Sequence, residues 1–152
     1  TFAAAQRVQV NGENLQLAHI DPAHTDTDIY VLYPRANVLH LGDTFFNGMY
    51  PFIDAGTGGN INGMINAATK AIGMVDVRTK IVPGHGPMGD RASLTKYRDV
   101  LVTVRDRVQK LKSQGKKVKE VVAAKPGGEF DKAWGGGFMM PDQFIEIVYN
   151  TL

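Results

Sequence analysis

Three short strand-like runs in this chain each lead into a residue that can bind a metal ion. That order restricts the possible folds more than any other feature. The run 14–20 leads to His24, inside the segment AHTDTD. The run 38–41 stops at Gly42-Asp43, and the run 80–82 enters PGHG, which carries His85. Imidazole and carboxylate groups placed on loops at strand ends are how a hydrolytic zinc site is assembled. Gly84 and Gly86 flank His85, so the backbone there can bend tightly around an ion. Each residue alone has a plainer reading. A loop histidine is most often a surface group, Gly-Asp is a common turn, and Pro-Gly-His-Gly can be a tight turn and nothing more. The combination, with a strand leading into each residue, carries the metal-site reading.

The other patterns supply a frame for that site. Runs 6–10 and 14–20 alternate apolar and polar residues around Asn11-Gly12, the strongest short hairpin signal. Runs 28–33 and 38–41 flank a turn at 34–37 and read as a second hairpin, so 1–41 holds two hairpins. Residues 42–59 are rich in glycine and aromatics and read as one long active-site loop. The segment 60–152 reads as helices with one short strand. Asn60 caps a helix over about 61–75, with Met64, Ile65, Ala68, Ile72 and Val75 at helical spacing. A longer helix starts at Asp90 or at 92–93 and runs to about 113, where Gly115 stops it. A short helix follows at 118–124, then irregular chain at 128–140, then a terminal helix opened by Pro141. Met64, Met74, Met139 and Met140 read as core filler. Strands precede helices, so the expected fold is a single α/β (α+β layered) domain over 1–152. Helices on one sheet face leave an apolar face that must be buried elsewhere.

Composition narrows the function classes. With 152 residues and 43% hydrophobic content, the chain can bury a real core. There is no cysteine, which excludes disulfides, thiolate zinc ligands and a cysteine nucleophile. The net charge of +2 is small, and the basic residues gather in 105–119 as one solvated helix face, so no nucleic-acid partner is expected. No apolar run approaches the roughly 20 residues of a membrane span, so no membrane partner is expected either. The first residue is Thr1 and not Met, which reads as a processed or truncated N-terminus of a soluble protein, periplasmic or cytoplasmic.

The segments AHTDTD, NVLHLGDTFF and KIVPGHGP, in this order, resemble the C-terminal half of a metallo-β-lactamase-superfamily hydrolase. The resemblance runs through residues 14–107. It implies one αβ half of an αββα sandwich and a site for zinc, two ions when complete, with iron or manganese as other candidates. By that resemblance His24 completes one metal site, His85 completes the other, and Asp43 bridges both and is the catalytic carboxylate. Asp28 resembles the family's supporting aspartate. The implied reaction is hydrolysis of an ester, thioester, lactone or amide bond, β-lactams included, in a small-molecule substrate by a metal-bound hydroxide. Two departures stand out. The family's H-x-H-x-D-H signature is absent, since no histidine precedes His19, and Thr27 stands where a glycine is expected. The missing ligands imply a partner, either an N-terminal half or a second copy forming a homodimer. The competing expectation is an inactive structural fragment or interaction module that dimerises through its exposed sheet.

The remaining candidates are supporting ones. Thr25 and Asp28 read as a support for His24, and Asp26 as an ordinary loop carboxylate. His19 and His40 read as structural strand histidines. Phe45, Phe46, Tyr50 and Phe52 could wall a substrate pocket, or could form a small core under the long loop. Trp134, followed by Gly135–Gly137, reads as packing for the C-terminal tail.

Overall fold

The computed structural model describes residues 4–152; Thr1, on which the expectation of a processed N-terminus rests, lies outside the described residues. Five strands form one sheet in chain order: β1 (Ala5–Val10), β2 (Glu13–His19), β3 (Ile29–Tyr33), β4 (Val38–Phe46) and β5 (Lys80–His85). The first three pairings are antiparallel and β4 pairs with β5 in parallel. The β1–β2 turn has Asn11 at φ 48° and Gly12 at φ 77°, the left-handed pair a two-residue hairpin loop needs. A parallel pair needs a crossover, and α1 (Ile61–Met74) supplies it between β4 and β5. Four more helices follow: α2 (Arg91–Ser113), α3 (Val118–Ala123), α4 (Gly128–Trp134) and α5 (Pro141–Asn150).

Alternation along the strands divides the sheet. Tyr30, Leu39, Leu41 and Ile81 are buried in one cluster with Met64, Ala68 and Ala71 of α1 and Leu94, Leu101 and Val104 of α2. The Tyr30 hydroxyl donates to the Ala67 carbonyl at 2.7 Å, which ties β3 to α1, and burial pushes that phenol's pKa up. The opposite face carries a cross-strand row of Leu17, Val31, His40 and Val82, fixed by the register. Leu15, Tyr33 and Val38 extend it, and all seven residues are only half-buried. The sheet therefore has one packed face and one apolar face that these helices leave partly open.

Several boundaries differ from those the sequence suggests. β4 runs on through Gly42-Asp43 to Phe46, because Gly42 takes φ 53° and the β4–β5 register shifts there and resumes. This is a bulge inside a strand, and no break. β5 likewise extends to His85, so that residue ends a strand instead of lying on a loop beyond it. The segment 42–59 is thus partly strand, with a short 3-10 turn at Ala55–Thr57. Gly128–Trp134 is helical where irregular chain is expected: the Tyr50 hydroxyl donates to the Asp131 carboxylate at 2.8 Å and ties the helix down, and Trp134 buries its ring. Met64 and Met139 are core residues, but Met74 and Met140 are exposed at helix ends. Among the basic residues of 105–119, Arg107 binds Glu129 and the Pro126 carbonyl, and Lys112 binds the Tyr149 and Leu152 carbonyls. These contacts fasten the C-terminal helices to α2. No helix among the described residues is long and apolar enough to cross a membrane.

α2 depends on its first turn. The Asp90 carboxylate accepts the Ser93 N–H at 2.7 Å, and the Ser93 hydroxyl accepts the Asp90 N–H at 2.8 Å. The Ser93 backbone hydrogen bond, then the Ser93 hydroxyl, hold the Asp90 carboxyl below its ordinary pKa. A lowered carboxyl pKa stabilises the fold above the ordinary carboxylate range, and that part is lost as pH falls through the lowered value. Replacing Asp90 with Ala therefore costs about 1 kcal/mol at neutral pH. Thermal melts of the two proteins differ near neutral pH and converge towards about pH 2; an undiminished difference in acid contradicts this.

Candidate metal centre

The connection 20–28 between β2 and β3 is held by its own backbone. The Ile20 N–H donates to the Asp28 carbonyl at 2.9 Å, and the Ala23 N–H to the Thr25 carbonyl at 2.9 Å. The Asp28 carboxylate accepts the Thr25 N–H at 2.8 Å, and Thr25 Oγ1 accepts the Thr27 N–H at 3.1 Å. Asp28 and Thr25 thus support His24 through the main chain; neither bonds its imidazole. From the other side, the Ala23 carbonyl accepts from Asn60 N and the His24 carbonyl from Asp54 N, both at 2.9 Å. A side chain at Gly59 would collide with the His24 carbonyl, and one at Gly63 with the Pro22 carbonyl. The start of α1 can therefore lie directly against this connection.

Asp43 stands on the β4 bulge. The Thr44 hydroxyl, fully buried, donates to the Leu41 carbonyl at 2.8 Å, and His40 Nδ1 accepts the Gly42 N–H at 3.0 Å. His40 is thus a structural residue that closes the bulge, and His19, bonded to the Asp26 carbonyl at 3.1 Å, closes the neighbouring connection. Parallel pairing then sets Phe46 opposite His85. The His85 carbonyl accepts from Asn47 N at 2.9 Å, and Gly86 turns away at φ 92°.

These three anchors bring three side chains together. His24 Nε2 lies 3.7 Å from Asp43 Oδ2, and His85 Nε2 lies 3.3 Å from Asp43 Oδ1. His24 is largely enclosed, at 15% side-chain exposure, while His85 and Asp43 are open at 46% and 42%. The other nitrogen of His24, Nδ1, lies 3.0 Å from the Phe52 carbonyl. A carbonyl only accepts, so Nδ1 carries a proton, and Nε2 is the nitrogen that faces the carboxylate. Two lone pairs facing each other repel unless a proton or a cation lies between them. Both separations exceed the roughly 2.7–2.9 Å of a charged hydrogen bond. The 3.3 Å separation matches the edge between two ligands of one tetrahedral ion, about 3.3–3.6 Å for bonds of about 2.0–2.2 Å, and the 3.7 Å separation lies just beyond it. On this test the donor set fits a zinc-like ion. Among the described residues, no group of three or more His, Cys, Asp or Glu side chains is placed to hold an ion by itself. Each histidine faces a different oxygen of Asp43, so the two imidazoles do not converge on one point.

The aromatic candidates separate. Phe46 stacks on His85, with centroids 4.8 Å apart and planes 18° apart, and also approaches His24 at 6.2 Å. Phe52 meets His24 edge-on at 5.9 Å and is 37% exposed. Phe45 and Tyr50 do not face the site. Phe45 packs edge-on against Tyr97 in the core, and Tyr50 stacks on Phe144 with its hydroxyl held by Asp131 and the Gly127 carbonyl. Alternation explains Phe45, since neighbours on a strand point to opposite sides, whereas Tyr50 lies beyond β4. Trp134 packs on Tyr97, as a packing role for it requires. Two contributors escape the sequence reading. Phe138 is 58% exposed and lies 5.6 Å from His85. Gly84 leaves the space in which the Asp43 carboxylate sits, because a Cβ there would collide with Oδ1. The glycine run before Phe138, where Gly137 passes against Met49, is the trace Phe138 leaves in the sequence.

Known proteins place the chain. The sequence model of one family, the metallo-beta-lactamase superfamily, matches residues 5–111, which hold all three converging side chains. The chain belongs to the metallo-β-lactamase superfamily. Solved structures show the same fold. The stereoselective inverting sec-alkylsulfatase Pisa1 from Pseudomonas sp. superposes with a TM-score of 0.79 at 18% identity, over 99% of this chain and 26% of that one. A metallo-beta-lactamase from Pontibacter korlensis superposes with a TM-score of 0.55 at 20% identity, over 66% of this chain and 47% of that one. The BLEG-1 B3 metallo-beta-lactamase gives a TM-score of 0.55 at 20% identity, over 66% of this chain and 47% of that one. This superfamily chain therefore spans about a quarter of the alkylsulfatase. A comparison with curated proteins gave no match.

The space at Gly84 can be tested directly. In Gly84→Ala the new methyl collides with the Asp43 carboxylate and also with the Gly42–Asp43 main chain, so the carboxylate and the bulge that carries it must both shift, while the rest of the sheet keeps its pairing. Zinc affinity, measured by calorimetry on the complete protein, should fall about 10–100-fold with an unchanged circular dichroism spectrum. Equal affinity in the variant refutes the role given to Gly84.

Proposed function

We propose that this chain supplies one side of a dinuclear, zinc-dependent hydrolytic site. The observation that carries the reading is the Asp43 carboxylate, whose two oxygens face the Nε2 atoms of His24 and His85 at 3.7 Å and 3.3 Å. Asp43 would bridge two ions, and each histidine would close one of them. Zinc fits two imidazoles and a carboxylate; iron and manganese accept similar donors. Such ions supply a water with a pKa near about 7 and offset charge that develops on the attacked centre.

The chain's own groups prepare that chemistry. The Phe52 carbonyl takes the hydrogen bond from His24 Nδ1 and so orients the ring with Nε2 towards Asp43. Phe46 lies flat against His85 and limits the rotation of that ring. Gly84 keeps the carboxylate free to use both oxygens. The substrate is a small molecule with an ester, thioester, lactone or amide bond, β-lactams included. The remaining ligands come from outside these residues, and the complete site needs an N-terminal half or a second copy of the chain.

A second reading is favoured by one observation, the half-buried apolar row of Leu17, Val31, His40 and Val82. Such a face is suited to packing against another sheet. In this reading the chain is a structural module that associates through that face and does not catalyse alone.

Metal analysis and native mass of the purified chain separate the readings. Bound zinc in a dimer supports a site shared between copies; a metal-free dimer supports the structural module. A metal-free monomer means that the site forms only with further sequence. In the complete protein, Asp43→Ala and His85→Ala should each lower turnover by several orders of magnitude. Near-normal turnover in either variant sinks the metal-bridge assignment.

A further inference from the structure

An open groove of about 580 Å³ runs along α5. That volume is within the range of small-molecule sites, about 300–1,000 Å³. Phe52, Phe138, Met139 and Ile147 give it an apolar lining, and Glu146 is the charged residue in it. The two phenylalanines join the groove to the candidate site. Phe52 lies 5.9 Å from His24, and Phe138 lies 5.6 Å from His85. Both rings are exposed although Phe45, Phe46 and Phe144 are fully buried. Large exposed aromatics gathered beside a polar centre mark a binding surface more often than a packing error. Most of this lining lies in the segment 138–150, beyond the residues 5–111 that match the family.

We propose that this groove binds the uncharged, apolar part of the substrate, an alkyl or aryl chain attached to the bond cleaved at the metal centre. This rests on the proposed hydrolytic site. The occupant follows from the lining. Apolar walls favour hydrocarbon, and the contacts of Phe52 with His24 and of Phe138 with His85 set one side of the groove next to the reacting group. Glu146, with no Lys, Arg or His in the lining, opposes a chain that ends in a carboxylate or sulfate.

Straight-chain hydroxamates, from acetohydroxamate to octanohydroxamate, test this by calorimetry on the zinc-loaded complete protein. Each added methylene should tighten binding about fourfold while the groove has room. Phe138→Ser and Ile147→Gln should each flatten that series, and exposure of the Phe138 ring makes its replacement safe for folding. Octanohydroxamate bearing a terminal carboxylate should bind more weakly than the plain compound, and Glu146→Gln should narrow the gap. Acetohydroxamate binding with no gain from chain length overturns the groove and leaves the metal centre standing. A chain-length gain that both variants retain also overturns it. A protein that takes up no zinc, yet binds 1-octanol in a manner abolished by Phe138→Ser, upholds the apolar site and overturns the metal centre. A dimer that Phe138→Ser dissociates, with a flat hydroxamate series, assigns the groove to a second copy and overturns the proposal.

Discussion

The parallel pairing of β4 with β5 is the contact on which the candidate centre depends. Asp43 lies on one strand and His85 ends the other, so their separation is set by strand spacing and register. A parallel pair cannot be closed by a tight turn. It needs α1, and α1 in turn lies against the connection that carries His24. One βαβ unit therefore fixes all three side chains, and the hairpins β1–β3 extend its sheet. The bulge at Gly42 adjusts the last part of that pairing and aims Asp43 between the two imidazoles.

Electrostatics gives this arrangement its direction. A carboxylate oxygen and an imidazole nitrogen gain little from each other without a proton or a cation between them. The fold holds two such pairs at 3.7 Å and 3.3 Å. It does so with rigid parts: a strand bulge, a strand end and a connection tied at Asn60 and Asp54. Preorganisation of this kind is what a metal site requires, because the ligands must not collapse onto one another.

Much of this was legible in the chain. Asn11-Gly12, the alternating runs and the helical spacing in α1 and α2 define the sheet and its two covering helices. His24, Asp43 and His85 stand out because each follows a strand. The less legible parts have physical causes. Nothing in residues 38–46 distinguishes a strand that ends at glycine from one that bulges there, since the outcome depends on pairing with β5. Alternation could have sent Phe45 inward and Phe46 to the site, but a segment read as loop has no alternation to apply. The helicity of Gly128–Trp134 comes from tertiary contacts with Tyr50 and Tyr97, and local propensity is silent on these. Gly84 looked like a hinge for His85; its role is the volume it leaves for a residue 41 positions earlier.

The bond between His24 and the Phe52 carbonyl separates two demands on one residue. The main chain at position 52 orients an imidazole, while its side chain faces the groove. Evolution can therefore exchange the ring to suit a different molecule and leave the imidazole's orientation intact. Insertions and deletions between β4 and α1 are different, because they shift the carbonyl itself. Relatives with altered preferences should accordingly differ in the identity of this residue far more freely than in the length of the segment that carries it.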